Sequence, residues 1–143
     1  MKAVIQRVFG AKLYVDGALI SEIGRGLVVY LGIAQGDGRE LIAPFCKKLA
    51  ALRVFPDDAG RMNISVSDVG GEILLVPNFT MCADLSHGNR PDCTSSMKPA
   101  SAASEFFDAC CAALSELIPT KRGVFGADMR IEQSNDGPIT VVY

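Results

Sequence analysis

The residues whose types and spacing could do chemistry lie in two short segments of this sequence. Pro77-Asn78-Phe79-Thr80-Met81 follows the apolar run 72–76, and Asn135-Asp136-Gly137-Pro138-Ile139-Thr140 precedes the strand-like end of the sequence. A threonine hydroxyl and ordered backbone amides after a buried strand could stabilise the developing oxyanion of an ester under hydrolysis. A glycine also leaves its backbone uncovered, so Gly137 could face a ligand directly.

Each segment also has a purely structural explanation. A threonine in a strand is most often there for its β-propensity, and Gly-Pro before apolar residues favours a rigid loop that closes a sheet. On the residues alone, this explanation is the more common one for both Thr80 and Gly137-Pro138. A functional interpretation therefore needs support from the rest of the chain.

Conventional catalytic groups are few. The one histidine, His87, lies in a turn-forming stretch, and the sequence contains no Gly-x-Ser-x-Gly, Walker or dinucleotide-binding motif. The five cysteines include no Cys-x-x-Cys pair, which argues against a disulfide framework or a zinc site. We predict that Cys46, Cys110 and Cys111 pack in the core, that packing is also the role of Cys93, and that the protein needs no metal and no cofactor.

The sequence from residue 1 to residue 143 resembles the D-aminoacyl-tRNA deacylase family. The family signature Asn-x-Gly-Pro-(Val/Ile)-Thr is intact at 135–140. The other signature, Ser-Gln-Phe-Thr-Leu, corresponds to 77–81, where Pro77, Asn78 and Met81 replace serine, glutamine and leucine. Three further stretches match the family: Ala3–Val8, Gly88–Pro91 and Gly123–Met129.

The resemblance implies a homodimeric enzyme that hydrolyses the ester of D-aminoacyl-tRNA, and of glycine mischarged on tRNA-Ala, as chirality proofreading. It implies that Phe79 and Thr80 bind the 3′ adenosine and the aminoacyl ester, with help from the substrate's own 2′-hydroxyl. It also implies that a cis Gly137-Pro138 from the partner subunit excludes L-amino acids. The remaining substrate-binding residues expected from the family are Pro77, Asn78, Arg7, which fixes the Gly-Pro orientation, and Phe125 and Met129, which line the adenine region.

The two departures in the first signature leave alternatives open. Proline at 77 removes an N–H donor, and asparagine at 78 is one methylene shorter than glutamine. One alternative is a related deacylase with relaxed chirality that acts on an L-aminoacyl-tRNA. Another is a non-catalytic nucleic-acid-binding dimer. For Arg7 the structural alternative is an edge-strand charge, and for Phe125 and Met129 it is core packing.

Size and charge set the broad class. A chain of 143 residues fits one domain, which we place at 1–143, and its 14 basic and 16 acidic side chains give a net charge of −2. That balance argues against nucleic-acid binding driven mainly by bulk electrostatics, but it allows recognition of one end of a tRNA. No apolar run approaches the length of a membrane span, and no signal-like core follows the first residue. We predict a cytoplasmic protein.

The pattern of the chain predicts an α/β fold with mixed β-sheets and two main helices in a single layered domain. Asp16-Gly17 between apolar stretches predicts a hairpin, and the apolar run 27–33 predicts a strand buried on both faces. A helix is expected around 41–52, with Pro44 near its start. A second is expected from 101 to 118, with Leu117 among its buried residues, and an alternating strand is expected at 128–133.

Overall fold

The long first strand organises the sheet. The computed structural model describes residues 1–143. β1 (Lys2–Val15) pairs along one edge with two antiparallel neighbours, β3 (Gly26–Gly32) against its first half and β2 (Ala18–Ile23) against its second. Along its other edge, β1 pairs with the last strand, β8 (Arg130–Val142). The centre of the sheet is therefore one strand held from both sides.

Parallel strands extend this sheet on the far side of β3. β6 (Glu72–Pro77) pairs in parallel with β3, and β7 (Thr120–Arg122) pairs in parallel with β6. A separate antiparallel hairpin is formed by β4 (Arg53–Pro56) and β5 (Met62–Ser65). The helices are α1 (Ile42–Ala50) and α2 (Ala100–Ser115). None of the helices combines the length and the apolar character needed to cross a membrane.

The two faces of the central strands bury different clusters because side chains alternate along a strand. Leu27, Val29 and Leu31 of β3 face a core of 21 buried residues that includes the inner sides of both helices. Val28 of the same strand belongs to a second core of seven buried residues that includes Leu74 of β6. This two-sided burial explains the unbroken apolar run of β3.

The second core lies inside the curl of the sheet. The hydroxyl of Ser21 on β2 donates to the Arg122 carbonyl of β7 at 2.7 Å, which joins the two end strands. The Gly24 N–H, just after β2, donates to the Glu72 carboxylate at 2.8 Å. The sheet is therefore close to a barrel, and its inner side chains are shielded from water without a covering helix.

The sequence predictions for the fold class are confirmed: the chain is a mixed α/β structure with two helices and a mostly sheet core. The expected hairpin turns at Asp16 and Gly17, which have φ values of +48° and +81°. Those positive angles are the ones that Asp-Gly supplies in a tight hairpin. Pro44 occupies the first turn of α1, where a missing N–H breaks no helical hydrogen bond.

Three details differ from the sequence predictions. The β4–β5 hairpin was not predicted, because each of its strands is only four residues long. The last strand begins at Arg130 and runs through the Gly-Pro to Val142 instead of ending near residue 133. Leu117 is 46% exposed rather than buried, because α2 ends at Ser115 and the helical periodicity no longer applies.

The end of α2 generates a test with a matched control. Leu114 is fully buried, whereas Leu117, three residues later, is largely exposed. We expect Leu114→Ala to lower the free energy of unfolding by about 2–5 kcal/mol through cavity formation. Leu117→Ala should cost less than about 1 kcal/mol. Urea unfolding followed by circular dichroism measures both, and equal losses would contradict this placement of the helix end.

Candidate active site

The first functional segment forms a short 3₁₀ turn at the end of β6. The turn spans Phe79–Cys82, and Asn78 caps it from an extended conformation. The Asn78 Oδ1 accepts hydrogen bonds from the Thr80 N–H at 3.2 Å and from the Thr80 hydroxyl at 2.5 Å. Asparagine is suited to this cap because its short carboxamide reaches backbone two residues ahead. The Asn78 carboxamide oxygen therefore holds both polar groups of Thr80.

The turn is clamped against the sheet and the loop behind it. The Asn78 N–H donates to the Leu31 carbonyl at 2.8 Å, and the buried Ser96 hydroxyl donates to the Phe79 carbonyl at 3.0 Å. At Gly32 an added Cβ would lie 2.6 Å from the Met81 Cβ and 3.1 Å from the Asn78 carbonyl oxygen. Residue 32 must therefore be glycine for the turn to sit this close to β3.

One main-chain amide of the turn is free. As the first residue of the turn, Phe79 has an N–H with no acceptor inside it, and no acceptor is present outside it. Pro77 has no N–H at all. The amides of Asn78, Thr80 and Met81 are all hydrogen-bonded. The turn thus presents a single unused N–H donor, at Phe79.

Pro77, Asn78 and Phe79 form a ridge between two cavities. One cavity of about 400 Å³, the Phe125 cavity, is lined mainly by apolar residues including Leu31 and Phe125. The other, the Met129 cavity, measures about 330 Å³ and includes Tyr30 and Met129 in its lining. Phe79 is 63% exposed and lines both cavities. A bound molecule in either cavity would contact the turn.

The ionisable side chains in the two linings are those of Tyr30, Cys93, Lys98 and Asp128, and no hydrogen bond or ion pair joins any two of them. Burial raises the pKa of the Tyr30 phenol, and its hydroxyl donates to the Gln133 carboxamide at 2.9 Å. Tyr30 is therefore neutral near pH 7 and already hydrogen-bonded. His87 is exposed and lines neither cavity. The polar chemistry next to the ridge thus comes mainly from backbone and from Thr80.

The second functional segment lies on β8, opposite the middle of β1. Pairing between the strands is regular from Arg130 to Ser134, shifts register at Asn135 and resumes at Thr140, which leaves residues 136–139 in a bulge. Gly137-Pro138 is a cis peptide within it, as the resemblance implies, and Gly137 has a φ of +136°. An added Cβ at Gly137 would lie 2.4 Å from the Ile139 nitrogen. Only glycine fits this backbone without strain.

Arg7 holds this bulge in place. The Arg7 guanidinium forms an ion pair with Asp136 at 3.0 Å and donates to the Val54 carbonyl of β4 at 2.5 Å. It also lies 5.8 Å from the centroid of the Phe55 ring. Arg7 is only 9% exposed, so the alternative of an edge-strand charge is wrong. A buried, paired guanidinium next to Gly137 can fix the direction of the following dipeptide.

The nine predicted site residues fall into two groups within one chain. Pro77, Asn78 and Phe79 line both cavities, while Phe125 and Met129 each line one. Thr80 is exposed on the turn and lines neither. Three residues lie on the β1–β8 pair and line neither cavity: Arg7, Gly137 and Pro138.

Phe125 and Met129 have structural roles as well as cavity positions. Phe125 packs against the large core, with its ring centroid 6.4 Å from that of Phe107. Met129 packs against the small core, and its sulfur lies 3.4 Å from the Val124 N–H. Both residues therefore pack against a core, as the structural alternative predicted, and both also line a cavity.

Asp136 and the β4–β5 hairpin were missed as parts of this site. Asp136 occupies the variable position of the Asn-x-Gly-Pro signature, so the motif gave it no weight. The signal that could have found it is an acidic residue directly beside Gly137-Pro138, the dipeptide that Arg7 is expected to orient. The hairpin could have been found from alternating residues on both sides of the turn that contains Gly60.

The cysteines take the packing role that the sequence predicted. Cys46, Cys110 and Cys111 are buried between the two helices and the sheet. Burial raises the pKa of the Cys110 thiol to about 12 and that of Cys111 to about 11, so both are neutral thiols near pH 7. Cys93 differs, because it is half-buried and lines the Phe125 cavity. No three His, Cys, Asp or Glu side chains are grouped so that they could hold a metal ion.

Comparison with known proteins decides the family. The model of the D-Tyr-tRNA(Tyr) deacylase family matches residues 4–143. The chain belongs to this family. Two curated relatives named D-aminoacyl-tRNA deacylase agree with that assignment. The one from Deinococcus radiodurans is 48% identical over 99% of this chain and 97% of its own length. The one from Anaeromyxobacter dehalogenans is 46% identical over 99% of this chain and 95% of its own length.

Two solved structures share the fold of this chain over nearly their whole length. The structure of the c-Myc DNA Unwinding Element Binding Protein superposes with a TM-score of 0.94 at 39% identity, over 100% of this chain and 97% of that one. A structure described as a probable eukaryotic D-amino acid tRNA deacylase superposes with a TM-score of 0.86 at 14% identity, over 99% and 97%. The second likeness concerns the fold alone.

Gly32 provides a test of how closely the turn must approach the sheet. We expect Gly32→Ala to lower the free energy of unfolding by about 1–3 kcal/mol through overpacking. Because the clash is with Met81 and Asn78, it should also shift the turn and lower the rate of deacylation. Gly24→Ala is the matched control, since its added Cβ would meet nothing closer than 3.7 Å. Unfolding and deacylation assays that found both variants alike would contradict the close approach.

Proposed function

We propose that this chain hydrolyses the ester bond of D-aminoacyl-tRNA and releases the free amino acid and tRNA. The observation that carries the proposal is the turn at 79–82, which stands between two cavities and presents a free N–H at Phe79. Membership of the deacylase family and relatives that are named D-aminoacyl-tRNA deacylases support the same activity. Glycine mischarged on tRNA-Ala is a further proposed substrate.

The reaction needs few protein groups. A water molecule attacks the ester carbonyl, the bond between that carbon and the ribose 3′-oxygen breaks, and the 3′-oxygen takes up a proton. The Phe79 N–H is a donor for the oxyanion that forms on the carbonyl, and one such donor contributes about 3–4 kcal/mol. The Thr80 hydroxyl donates its hydrogen bond to the Asn78 carboxamide oxygen. Its own oxygen is therefore left as an acceptor that can orient the water. The ribose 2′-hydroxyl assists in place of a side-chain base.

The Phe125 cavity suits a nucleobase. Its walls are largely apolar, and the exposed ring of Phe79 and the ring of Phe125 both reach it. Proteins that recognise single-stranded RNA ends stack unpaired bases on aromatic side chains, and such stacking contributes about 1–3 kcal/mol per base. We therefore place the terminal adenine of the tRNA in this cavity, with the ester over the ridge. Met129 lines the adjoining cavity and completes the wall around the adenosine.

The Gly-Pro bulge is proposed to serve the partner subunit of a homodimer. Within one chain, Arg7, Gly137 and Pro138 line neither cavity. Large apolar side chains on the same two strands, Phe9 and Val142, are 61% and 75% exposed, which is typical of a surface that another subunit covers. In the dimer, uncovered backbone at Gly137 would stand against the substrate Cα and reject L-amino acids. We further propose that residues 1–143 form one domain and that the enzyme is cytoplasmic.

Relaxed chirality is the second candidate. Asn78 does not offer its carboxamide oxygen to a substrate, because Thr80 occupies it twice. Pro77 offers no amide either. Two donor or acceptor groups of the family signature are thus absent from the ridge, and discrimination falls on the Gly-Pro bulge alone. If the Gly-Pro bulge fits loosely against the substrate, the enzyme also accepts an L-aminoacyl-tRNA.

The function is tested with four substrates in parallel: D-Tyr-tRNA, L-Tyr-tRNA, Gly-tRNA-Ala and L-Ala-tRNA. We expect rapid release from the first and third, and rates on the two L-substrates at least about 100-fold lower, equivalent to about 2.7 kcal/mol of discrimination. Comparable rates on D- and L-Tyr-tRNA would establish relaxed chirality. Hydrolysis of none of the four would overturn the enzymatic proposal and leave a nucleic-acid-binding dimer.

The variant Pro77→Ser/Asn78→Gln serves as the internal comparison in this assay. If the two substitutions loosen the site, restoring the family residues should raise the ratio of D- to L-Tyr-tRNA rates. An unchanged ratio would assign chirality to the Gly-Pro bulge.

His87→Ala is the control variant in the same assay. We expect it to change no deacylation rate by more than about threefold.

A further inference from the structure

The two cavities beside the ridge belong to a longer groove. A third cavity of about 440 Å³ shares Cys93 and Lys98 with the Phe125 cavity and is also lined by Arg90. A fourth, of about 670 Å³, shares Asp128 and Met129 with the Met129 cavity. The active site therefore lies in the middle of a groove with two open ends, which we call the Arg90 end and the Asp16 end.

The two ends carry opposite charge. At the Arg90 end, Arg90 and Lys98 are exposed, and the side chain of neither forms an ion pair or a hydrogen bond within the chain. The one carboxylate there, Asp92, accepts the Thr94 N–H at 2.9 Å. This end has a surplus of positive charge.

At the Asp16 end the balance is reversed. Asp16 and Asp128 both line the fourth cavity. The only cation there, Arg130, pairs with Glu132 at 3.3 Å and lies 4.4 Å from the centroid of the Tyr14 ring. Its charge is therefore already matched. A polyanion entering the groove meets attraction at one end and repulsion at the other.

The cations of the Arg90 end stand on an anchored loop. Main-chain hydrogen bonds between Asp84 and Asp92, at 2.7 and 3.0 Å, close the loop that carries Arg90. On the other side, the Lys98 N–H donates to the Gln35 carboxamide at 2.9 Å, and the Met97 N–H donates to the Ile33 carbonyl at 2.9 Å. The backbone at both positions is thus tied to the body of the protein next to the Phe125 cavity.

We propose that Arg90 and Lys98 form a phosphate-binding subsite for the nucleotides that precede the terminal adenosine of the substrate. The inference rests on the proposed function, because it takes the adenine to lie in the Phe125 cavity. With the adenosine there, the RNA strand leaves the active site over the Arg90 end and away from Asp16 and Asp128. Contacts to phosphates position a strand without reading its sequence, so the subsite is the same for every tRNA.

Two minimal substrates separate this subsite from the catalytic site: D-tyrosyl-adenosine and D-tyrosyl-CpCpA. The first ends at the adenosine, whereas the second adds the phosphates that the subsite would bind. We expect Arg90→Gln to lower kcat/KM on D-tyrosyl-CpCpA about threefold and Arg90→Gln/Lys98→Gln to lower it about tenfold at low salt. Arg90→Gln should leave D-tyrosyl-adenosine unchanged, because Arg90 lines only the third cavity.

Salt dependence and a charge-matched control complete the design. Affinity falls with salt, and two phosphate contacts to a single strand contribute about −1.4 to the slope of log affinity against log salt concentration. The double variant should lose that contribution. Lys47→Gln/Lys48→Gln removes the same charge from the last turn of α1, and neither lysine lines the groove. This control should behave as the unmodified protein on both substrates.

Three results would overturn the subsite. The first is an unchanged kcat/KM of the double variant on D-tyrosyl-CpCpA. The second is an equal loss of kcat/KM for Arg90→Gln on both substrates. The third is a loss of kcat/KM on D-tyrosyl-CpCpA from Arg130→Gln instead of from the Arg90 and Lys98 variants. If the unmodified protein hydrolyses neither minimal substrate, the four-tRNA assay alone decides the proposed function. The subsite is then tested by equilibrium binding of D-tyrosyl-CpCpA and D-tyrosyl-adenosine in which an amide replaces the ester. For the same variants, we expect the dissociation constants to change by the factors given above for kcat/KM.

Discussion

The pairing of β1 on both of its edges is the constraint on which the rest of the structure depends. Its partners on one side are β2 and β3, and its partner on the other is β8. Through β3, the strand positions β6 and therefore the turn at 79–82. Through β8, it positions the Gly-Pro bulge, which Arg7 of β1 itself ties to Asp136 and to Val54. Both groups of predicted site residues are thus fixed to the same strand, although only one group lines the two cavities.

The chemistry that this scaffold allows is one of placement rather than of reactive side chains. Near the ridge, the phenol of Tyr30 is neutral and hydrogen-bonded, and the buried thiols have pKa values far above neutrality. An activated aminoacyl ester needs only an oxyanion donor and an oriented water to hydrolyse at a useful rate. In the proposed mechanism, the free Phe79 amide is that donor, and Thr80, held by the Asn78 cap, orients the water. The fold itself depends on two glycines here, because Gly32 lets the turn approach β3 closely and Gly137 adopts a positive φ against Ile139.

Much of this could be predicted from the sequence, and the exceptions have physical causes. Asp16-Gly17, the apolar run of β3 and the helical spacing of α1 each encode their structure locally, so the fold class followed from them. The position of Leu117 did not, because helix termination at Ser115 depends on the packing that follows. The resemblance gave Arg7 its role, but its burial and its partners required tertiary structure, since those partners lie 47 and 129 residues away along the chain. The resemblance supplied the motif residues and assigned Gly137-Pro138 to the partner's site, but the structure was needed to show their separation into two groups within one chain.

That separation leads to the central claim, that each active site combines the 79–82 turn of one subunit with the Gly-Pro bulge of the other. Complementation tests it directly. One tagged chain carries Phe79→Ala/Thr80→Ala and the other carries Gly137→Ala, which the positive φ at this position disfavours. Heterodimers isolated through both tags contain one intact site of two if the sites are shared. We predict that they recover about half of the wild-type deacylation rate, whereas either variant homodimer stays nearly inactive. A heterodimer no more active than the mean of the two homodimers, or a monomeric active enzyme, would contradict the claim.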